Sequence, residues 1–427
     1  MSISKSSIKA KINNRYFKIL LAFIIGSVVG IIALIYNNIL DFFTFSLIDI
    51  DMELTIYNRL LFLVLPALGG LAVGFIIKYG SMSAKGHGIP AILSSIKTKK
   101  RHLSYRDLLT EGFASAITIS SGGSGGRIGP IVEIGAGIGD LIAYKLNFKL
   151  FDYQTFLGCG AAAGIAGLFH VPLGGIMFVT EILFNRLEKN RLIMVAISAI
   201  SADMIIRWSG RDLFLADLNL GQVGSAYNFA AAAVIGIFSA FSGMLFIYIL
   251  RKLSSIFDNL NISIIFKPAL GGLMLGAIAF YLPEIMGSGN RVIVSLFNQL
   301  QHNIGFLFIL LVFKIIATGL TLGSGGSGGI FSPSLFIGCI SGIIIGIFFN
   351  QFFPFFTGST SLYALIGMAA VISSVIRAPL TATFIIIEFT HNYSLTIPLL
   401  IASLIAERIA NLSGFKSAYS PDYFERL

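Results

Sequence analysis

Residues 121–130 read Ser-Gly-Gly-Ser-Gly-Gly-Arg-Ile-Gly-Pro, and residues 324–333 read Ser-Gly-Gly-Ser-Gly-Gly-Ile-Phe-Ser-Pro. Both runs lie among apolar residues, where irregular backbone is tolerated only if it lines a cavity or is buried in protein. Each run ends in a proline, which suits the first turn of a helix because its missing N–H is not needed there. The two runs therefore predict two helix starts, one in each half of the chain.

A second pair of matches follows at nearly the same offset. Pro172 precedes Glu181 by nine residues, and Pro379 precedes Glu388 by nine. Matched features in one order indicate a duplicated unit of roughly 200 residues. Duplicated units in membrane proteins are often inverted, and their broken helices meet near the midplane to form the substrate site. The equivalent places of the two glutamates favour structural bonds to neighbouring backbone or helix ends over a role in transport.

The composition requires lipid as the solvent. Of the residues, 56% are hydrophobic and 12% are charged, and the mean hydropathy is +0.87, whereas a soluble domain carries about 25% charged residues. The apolar stretches have two lengths, some able to span a bilayer and others only long enough to enter it partway. We therefore predict an all-α, multi-pass membrane protein with broken and re-entrant helices.

The formal net charge of +10 indicates which loops face the cytoplasm; we do not take it as a sign of nucleic-acid binding. Basic residues concentrate in the N-terminal segment and in the 97–106 loop, the pattern of cytoplasmic loops. We expect both termini in the cytoplasm and the protein in the plasma (cell inner) membrane. The predicted organisation is a cytoplasmic segment or interfacial helix at 1–18, transmembrane repeats at 19–210 and 211–419, and a short tail at 420–427.

The predicted helix starts indicate the charge of the substrate. A helix N-terminus offers unpaired N–H groups and about half a positive charge. Two such ends that converge in a low-dielectric setting would bind an anion and repel a cation. A competing interpretation is that the glycines serve only close helix packing.

Three segments resemble the signature segments of the CLC chloride channels and transporters: Gly86-His87-Gly88-Ile89-Pro90, 126–130 and 329–333. Lys314 and the register between Glu388 and Tyr419 are also similar to that family's pattern. The resemblance implies an inverted-repeat fold of about 17 or 18 helices and a homodimer in which each subunit has its own pore. It implies chloride or a similar small anion as substrate, and no cofactor, metal or enzymatic activity. Only eight residues follow Tyr419, so we expect the paired nucleotide-binding domains of some members to be absent.

Positions that match the family's motifs imply two anion sites. The central anion would be held by the backbone N–H groups of Ile330 and Phe331 and by the Tyr419 hydroxyl. The outer anion would be held by N–H groups around three residues, Arg127, Ile128 and Gly129. For Tyr419 an interfacial aromatic anchor is the alternative. Arg127 and Lys314 would add positive potential near the pathway, although Lys314 could instead be a structural partner of a helix C-terminus or a carboxylate.

Two departures from the family's pattern affect proton coupling. Proton-coupled members carry a gating glutamate after the arginine of the second segment, and this chain has Ile128. Bacterial exchangers also carry an internal glutamate directly after the position of Glu181, and this chain has Ile182. Isoleucine cannot ionise, so both ends of the usual proton route lack their chemistry.

Three further titratable residues leave alternatives open. His87 stands where the family has the serine that contacts the central anion, so it could make conduction depend on pH. Alternatively, the His87 ring turns away and the amides around Gly88 serve the site. Glu133, five residues after Ile128, could be a displaced gate or proton carrier, or a buried structural contact. Glu111 is expected near a helix start, opposing the basic 97–106 loop.

The leading prediction is a CLC-type anion channel or uncoupled uniporter. The first alternative is a proton-coupled anion antiporter in which Glu133 or His87 has taken over proton handling. A second alternative is a membrane scaffold or sensor that conducts nothing, with Ile128 as an apolar plug. The preferred anion is left open.

Overall fold

The computed structural model describes residues 14–47, 56–82, 88–98, 104–184, 188–210, 218, 220–221, 223–298, 303–353 and 358–420. The residues outside these ranges include His87, most of the predicted 1–18 segment, half of the 97–106 loop and nearly all of the 420–427 tail. Almost all described residues are helical, and no β-strand longer than an isolated bridge occurs among them.

The helices are numbered α1 to α16 in chain order. The first eight are α1 (Arg15–Leu47), α2 (Ile56–Tyr79), α3 (Ile89–Thr98), α4 (Tyr105–Ser120), α5 (Ile128–Lys145), α6 (Leu150–Phe169), α7 (Pro172–Phe178, followed by the π-helical Val179–Phe184) and α8 (Lys189–Trp208). The others are α9 (Ala226–Asp258), α10 (Phe266–Ala279), α11 (Asn290–Asn298), α12 (Ile304–Gly323), α13 (Phe331–Phe352), α14 (Thr360–Ile376), α15 (Pro379–Thr390) and α16 (Thr396–Leu412). Short 3₁₀ turns occur at Pro283–Ile285 and Tyr393–Leu395.

Six helical segments in the described ranges are long and apolar enough to cross a membrane. They are Arg15–Thr44, Asn58–Tyr79, Ala226–Asp258, Ile304–Gly323, Phe331–Phe352 and Tyr393–Leu412. Shorter apolar helices such as Pro379–Thr390 are too short to span alone. The expected mixture of spanning and broken helices is therefore present, and the protein is a multi-pass membrane protein.

The breaks occur at matching places in the two halves. His170 and Arg377 each follow a long helix in the left-handed conformation, with φ of 60° and 62°. Each stands two residues before the proline that begins the next helix, Pro172 or Pro379. Because the left-handed residue and the proline both prevent helix continuation, each repeat breaks its apolar helix at the same point.

Glycines join the long helices of each repeat closely. A β-carbon on Gly135 of α5 would stand 2.2 Å from the Gly160 carbonyl oxygen of α6. The equivalent atom on Gly338 of α13 would stand 2.4 Å from the Gly367 carbonyl oxygen of α14. Side chains at these positions would push the helices apart, so the small residues set the packing distance. This packing holds α5 and α13, the two helices that start at the Ser-Gly-Gly runs.

Candidate anion pathway

The two Ser-Gly-Gly runs meet and hydrogen-bond to each other. The Gly126 N–H donates to the Gly329 carbonyl at 2.6 Å, and the Gly329 N–H donates to the Gly126 carbonyl at 2.7 Å. These glycines stand at equivalent places in the two repeats. These two backbone hydrogen bonds join the halves without side chains. A β-carbon on Gly329 would stand 2.7 Å from the Gly129 nitrogen, so a larger residue does not fit there.

Threonine hydroxyls reinforce the junction symmetrically. The Ser124 N–H donates to Oγ1 of Thr321 at 3.0 Å, and the Ser327 N–H donates to Oγ1 of Thr118 at 3.3 Å. Thr321 lies on α12, which leads into the second run, and it bonds the first run. Thr118 lies on α4, which leads into the first run, and it bonds the second. Irregular backbone at membrane depth is thus supported by side chains of the opposite half.

Two helices start directly from this junction. Helix α5 begins at Ile128 and α13 at Phe331, and Ile128, Ile330 and Phe331 are almost fully buried. The N–H groups of these residues and of Gly129 donate to no acceptor within the described part of the chain. Unpaired donors at helix N-termini attract anions. The structure therefore brings five of the predicted binding residues, including Arg127, to one junction.

A third helix start adjoins the same region. Gly88 immediately precedes α3 and is buried. A β-carbon on Gly88 would stand 1.3 Å from Oε2 of Glu133, so the Glu133 carboxylate packs directly against the Gly88 backbone. His87, the neighbouring residue, lies outside the described residues, and its two predicted orientations stay open.

Arg127 faces a cavity of 390 Å³ at the C-terminal end of α1. Its Nη1 donates to Asp41 Oδ1 at 2.7 Å and to Asn37 Oδ1 at 3.3 Å. The cavity is lined by Asn37, Asp41, Arg127, Leu168, Phe169, His170, Ile206, Asn290, Arg291 and Val294. Two arginines in one lining give this opening positive potential, which Asp41 offsets in part.

Tyr419 is buried at the end of the described chain, with 3% of its surface exposed. Its ring contacts Phe178 of α7 edge-on, at 6.4 Å between centroids. The segment is held in place by the Ala418 N–H, which donates to the Val375 carbonyl at 3.0 Å. An exposed interfacial anchor would not be buried in this way. Ile182 is half-buried in the π-helical segment Val179–Phe184.

Comparisons with known proteins identify the family. Residues 69–411 match the family described as Voltage gated chloride channel. The chain belongs to this family, the CLC proteins.

Individual relatives support the same assignment. The chain is 31% identical over 357 residues to the H(+)/Cl(-) exchange transporter ClcA of Vibrio cholerae, covering 81% of this chain and 75% of that one. It is 29% identical over 379 residues to the voltage-gated ClC-type chloride channel ClcB of Escherichia coli, covering 88% and 89%. Its fold is similar to a slow cyanobacterial Cl−/H+ antiporter (TM-score 0.87, 23% identity, 97% and 98% covered) and to a CLC-type fluoride/proton antiporter (TM-score 0.82, 22% identity, 98% and 99% covered).

The predicted CLC fold is therefore confirmed, and the chain is a CLC-family anion transporter. CLC proteins are channels and transporters and not enzymes. Within the described ranges, His, Cys, Asp and Glu side chains form no group of three or more that could hold a metal ion.

Lys314 of this CLC protein is bound by backbone carbonyls. Its fully buried Nζ donates to the carbonyl oxygens of Ile285 at 2.8 Å and Gly287 at 2.9 Å, and it stands 4.9 Å from the Phe336 ring centroid. The Gly287 N–H donates to the Gly122 carbonyl at 3.1 Å. Lys314 thus supports the loop that contacts the first Ser-Gly-Gly run, which agrees with the structural interpretation.

Glu181 and Glu388 each cap the N-terminus of a helix in the opposite repeat. Glu388 accepts the N–H groups of Leu173 at 2.9 Å and Gly174 at 2.8 Å, at the start of α7. Glu181 accepts the N–H groups of Leu380 at 2.9 Å and Thr381 at 2.6 Å, at the start of α15. Carboxylates at helix N-termini are stabilising, so the expected structural bonds exist and run between the halves.

Glu111 lies in the second turn of α4, near the helix start as expected, but it is buried, with 1% of its surface exposed. Neither carboxylate oxygen has a hydrogen-bond partner among the described residues, and Glu133 is close enough for the two charges to interact. The available sequence signal was an acid within an apolar helix, which usually marks function.

Proposed function

We propose that this CLC protein conducts chloride passively, as a channel or uncoupled uniporter. The observation that carries the proposal is Ile128, which is fully buried as the first residue of α5. A residue there adjoins the unpaired N–H groups that would hold the outer anion. Because an isoleucine side chain can neither compete with that anion as a negative charge nor carry a proton, the usual coupling step has no acid to perform it.

The proposed anion route runs through the junction of the two Ser-Gly-Gly runs. The N–H groups of Ile330 and Phe331 and the hydroxyl of Tyr419 would hold the central anion. The N–H groups around Arg127, Ile128 and Gly129 would hold the outer one. Neutral donors of this kind can replace hydration water while leaving the anion free to depart. Ile182, which replaces the internal acid, removes the second usual proton acceptor.

The decisive experiment uses purified protein in liposomes with a chloride gradient, recording chloride efflux and proton movement together. Passive conduction predicts chloride efflux without uphill proton movement and a reversal potential that ignores a pH gradient. Proton accumulation driven by the chloride gradient would reject the proposal. Protein-free liposomes with the same ionophores provide the baseline.

A second candidate is proton-coupled exchange that uses Glu133 or His87. Two observations favour keeping it: the relative ClcA is an exchange transporter by name, and the Glu133 carboxylate packs against Gly88. Exchange would shift the reversal potential under a pH gradient. The third candidate, a non-conducting scaffold or sensor, predicts no efflux together with measurable chloride binding.

The assembly and topology belong to the same proposal. We expect a homodimer with one pore in each subunit, in the plasma membrane, with both termini in the cytoplasm. The repeats would occupy 19–210 and 211–419. In that orientation the cavity beside Arg127 opens to the outside, because it lies at the opposite end of α1 from Arg15 and Lys18.

A further inference from the structure

Two buried glutamates lie beside the helix starts of the pathway. Glu133 is on α5 and Glu111 is on α4, and each is 1% exposed. Oε2 of Glu133 and both carboxylate oxygens of Glu111 have no hydrogen-bond partner among the described residues. Buried acids elsewhere in this protein are paired: Asp140 accepts a bond from Tyr153, and Asp152 binds Lys18 at 2.7 Å.

A third polar group from the other repeat points to the same place. Ser327, in the second Ser-Gly-Gly run, lies next to the Glu111 carboxyl. The Ser327 side chain is fully buried, and its hydroxyl is the hydrogen-bonding group that faces the Glu111 carboxyl. One hydroxyl cannot supply all the bonds that two buried carboxylates need, so burial is costly unless a proton or a ligand completes the bonding. The site is thus formed from both halves of the chain.

No basic side chain of the described residues is paired with these two glutamates. Arg127, six residues before Glu133, uses its Nη1 for Asp41 and Asn37, and Arg106, five residues before Glu111, donates its Nη2 to the Tyr79 carbonyl. Lys314 is occupied by two carbonyls. Two neighbouring carboxylates in a low-dielectric setting cannot both ionise readily, so such pairs hold a shared proton.

We infer that Glu133 and Glu111 form a proton-binding site that controls anion conduction. The inference rests on the proposed passive function. When Glu133 is ionised, its carboxylate places a negative charge against Gly88 at the start of α3 and repels the anion. When protons bind the pair, that charge is lost and the anion passes. Chloride flux therefore rises as the pH falls, without any proton crossing in exchange.

Most of the other titratable groups around α5 already have a hydrogen-bond or ion-pair partner. They are Asp107 of α4, which accepts a bond from Ser81; Tyr36 of α1, bonded to Ser115; Asp140 of α5 and Tyr153 of α6, bonded to each other; the buried thiols Cys159 of α6 and Cys339 of α13; Arg127 with Asp41; and His87 before α3. Of these, Asp107 acts electrostatically on Glu133, and His87 adjoins Gly88 in sequence. Both must be tested separately.

The test measures chloride efflux from liposomes of equal internal and external pH, from acidic to alkaline conditions. Wild-type flux should fall on the order of tenfold or more at alkaline pH, the scale expected for one added charge within a few ångströms of the path. Glu133→Gln should conduct at every pH with no such fall. Glu111→Gln should keep the fall but move its midpoint to lower pH, because the neighbouring negative charge that favours proton uptake is gone.

Three control variants separate the sources of a pH effect. Asp140→Asn removes another buried acid of α5 and should leave the wild-type profile unchanged. Asp107→Asn should shift the profile at most slightly. His87→Ser, at the predicted central anion position, can change the absolute flux but should keep the fall at alkaline pH. A flat wild-type profile, an unaltered profile in Glu133→Gln, or loss of the pH effect in His87→Ser would each overturn the inference.

Infrared spectroscopy of the wild-type protein keeps the test independent of variant folding. The stretch of a protonated carboxyl group should appear over the pH range in which flux rises, and it should weaken in Glu133→Gln. A carboxyl signal that titrates outside that range would refute the inference. Proton accumulation driven by chloride would instead reject the passive function, so the two failures are distinguishable.

Discussion

The reciprocal glutamate caps make a quantitative prediction about stability. Glu388 accepts two N–H groups at the start of α7, at 2.9 and 2.8 Å, and the residue is 8% exposed. Hydrogen bonds to charged groups contribute about 1.5–3 kcal/mol each. Glu388→Ala removes both bonds and leaves two donors unpaired at a buried helix start. We expect the free energy of unfolding to fall by about 3 kcal/mol or more.

Graded variants test whether the bonds themselves carry this energy. Glu388→Gln keeps one acceptor oxygen but no charge, so it should lose about half as much. Glu181→Ala should lose an amount similar to Glu388→Ala, because it removes two N–H bonds and the bond from the Thr381 hydroxyl, although Leu380 is partly exposed. The control is Glu188→Ala, which breaks a surface ion pair with Arg191 at 3.6 Å and should cost less than about 1 kcal/mol.

The assay is reversible unfolding of purified protein in mixed micelles with increasing sodium dodecyl sulfate, followed by the helical circular dichroism signal. Glu388→Ala should unfold at clearly lower detergent fraction than wild type, with Glu388→Gln between them. If Glu388→Ala unfolds together with Glu188→Ala, the caps do not hold the repeats together. That result would refute the reasoning.

Three further predictions concern the junction and its support. Ile128→Glu should lower chloride efflux from liposomes on the order of tenfold at neutral pH, because an ionised carboxylate would compete for the unpaired N–H groups, and efflux should recover in acid. Ile128→Val should conduct, and equal flux in both variants would contradict this prediction. Gly329→Ala should reduce flux and destabilise by about 1–3 kcal/mol because its β-carbon would stand 2.7 Å from a backbone nitrogen, whereas Gly224→Ala, with nothing within 4 Å, should be neutral; a harmless Gly329→Ala would argue against the close junction. Lys314→Met should cost about 2–4 kcal/mol in the same unfolding assay because two buried carbonyls lose their donor, while the exposed Lys252→Met should have no effect; equal midpoints would reject a structural role.

The sequence predicted where helices start within each repeat better than it predicted the contacts between the two repeats. Gly-rich runs and prolines act through local backbone preferences, so they marked the starts of α5 and α13. The carboxylate positions were also visible, because Glu181 and Glu388 stand at one register in the repeat. Their partners were not, since each cap lies about 200 residues away and in the other repeat.

The contact between Glu111 and Glu133 could not be predicted from the sequence either. Glu111 and Glu133 belong to different helices, and only the turn through the Ser-Gly-Gly junction brings them together beside Ser327. The partner of Arg127 was equally hidden, because Asp41 lies at the far end of α1. Side chains that meet across helices depend on crossing distances, which small residues such as Gly135 and Gly160 set through packing.

The sequence by itself determined that this chain is a membrane-embedded, duplicated CLC protein with isoleucine at both usual acid positions. Composition and local backbone preferences are properties of short segments, and they survive without knowledge of the fold. The tertiary structure alone decided which unpaired donors converge, which glutamate caps which repeat, and which acid packs against Gly88. Those outcomes depend on how far apart distant segments come to lie, and that is fixed only when the helices pack.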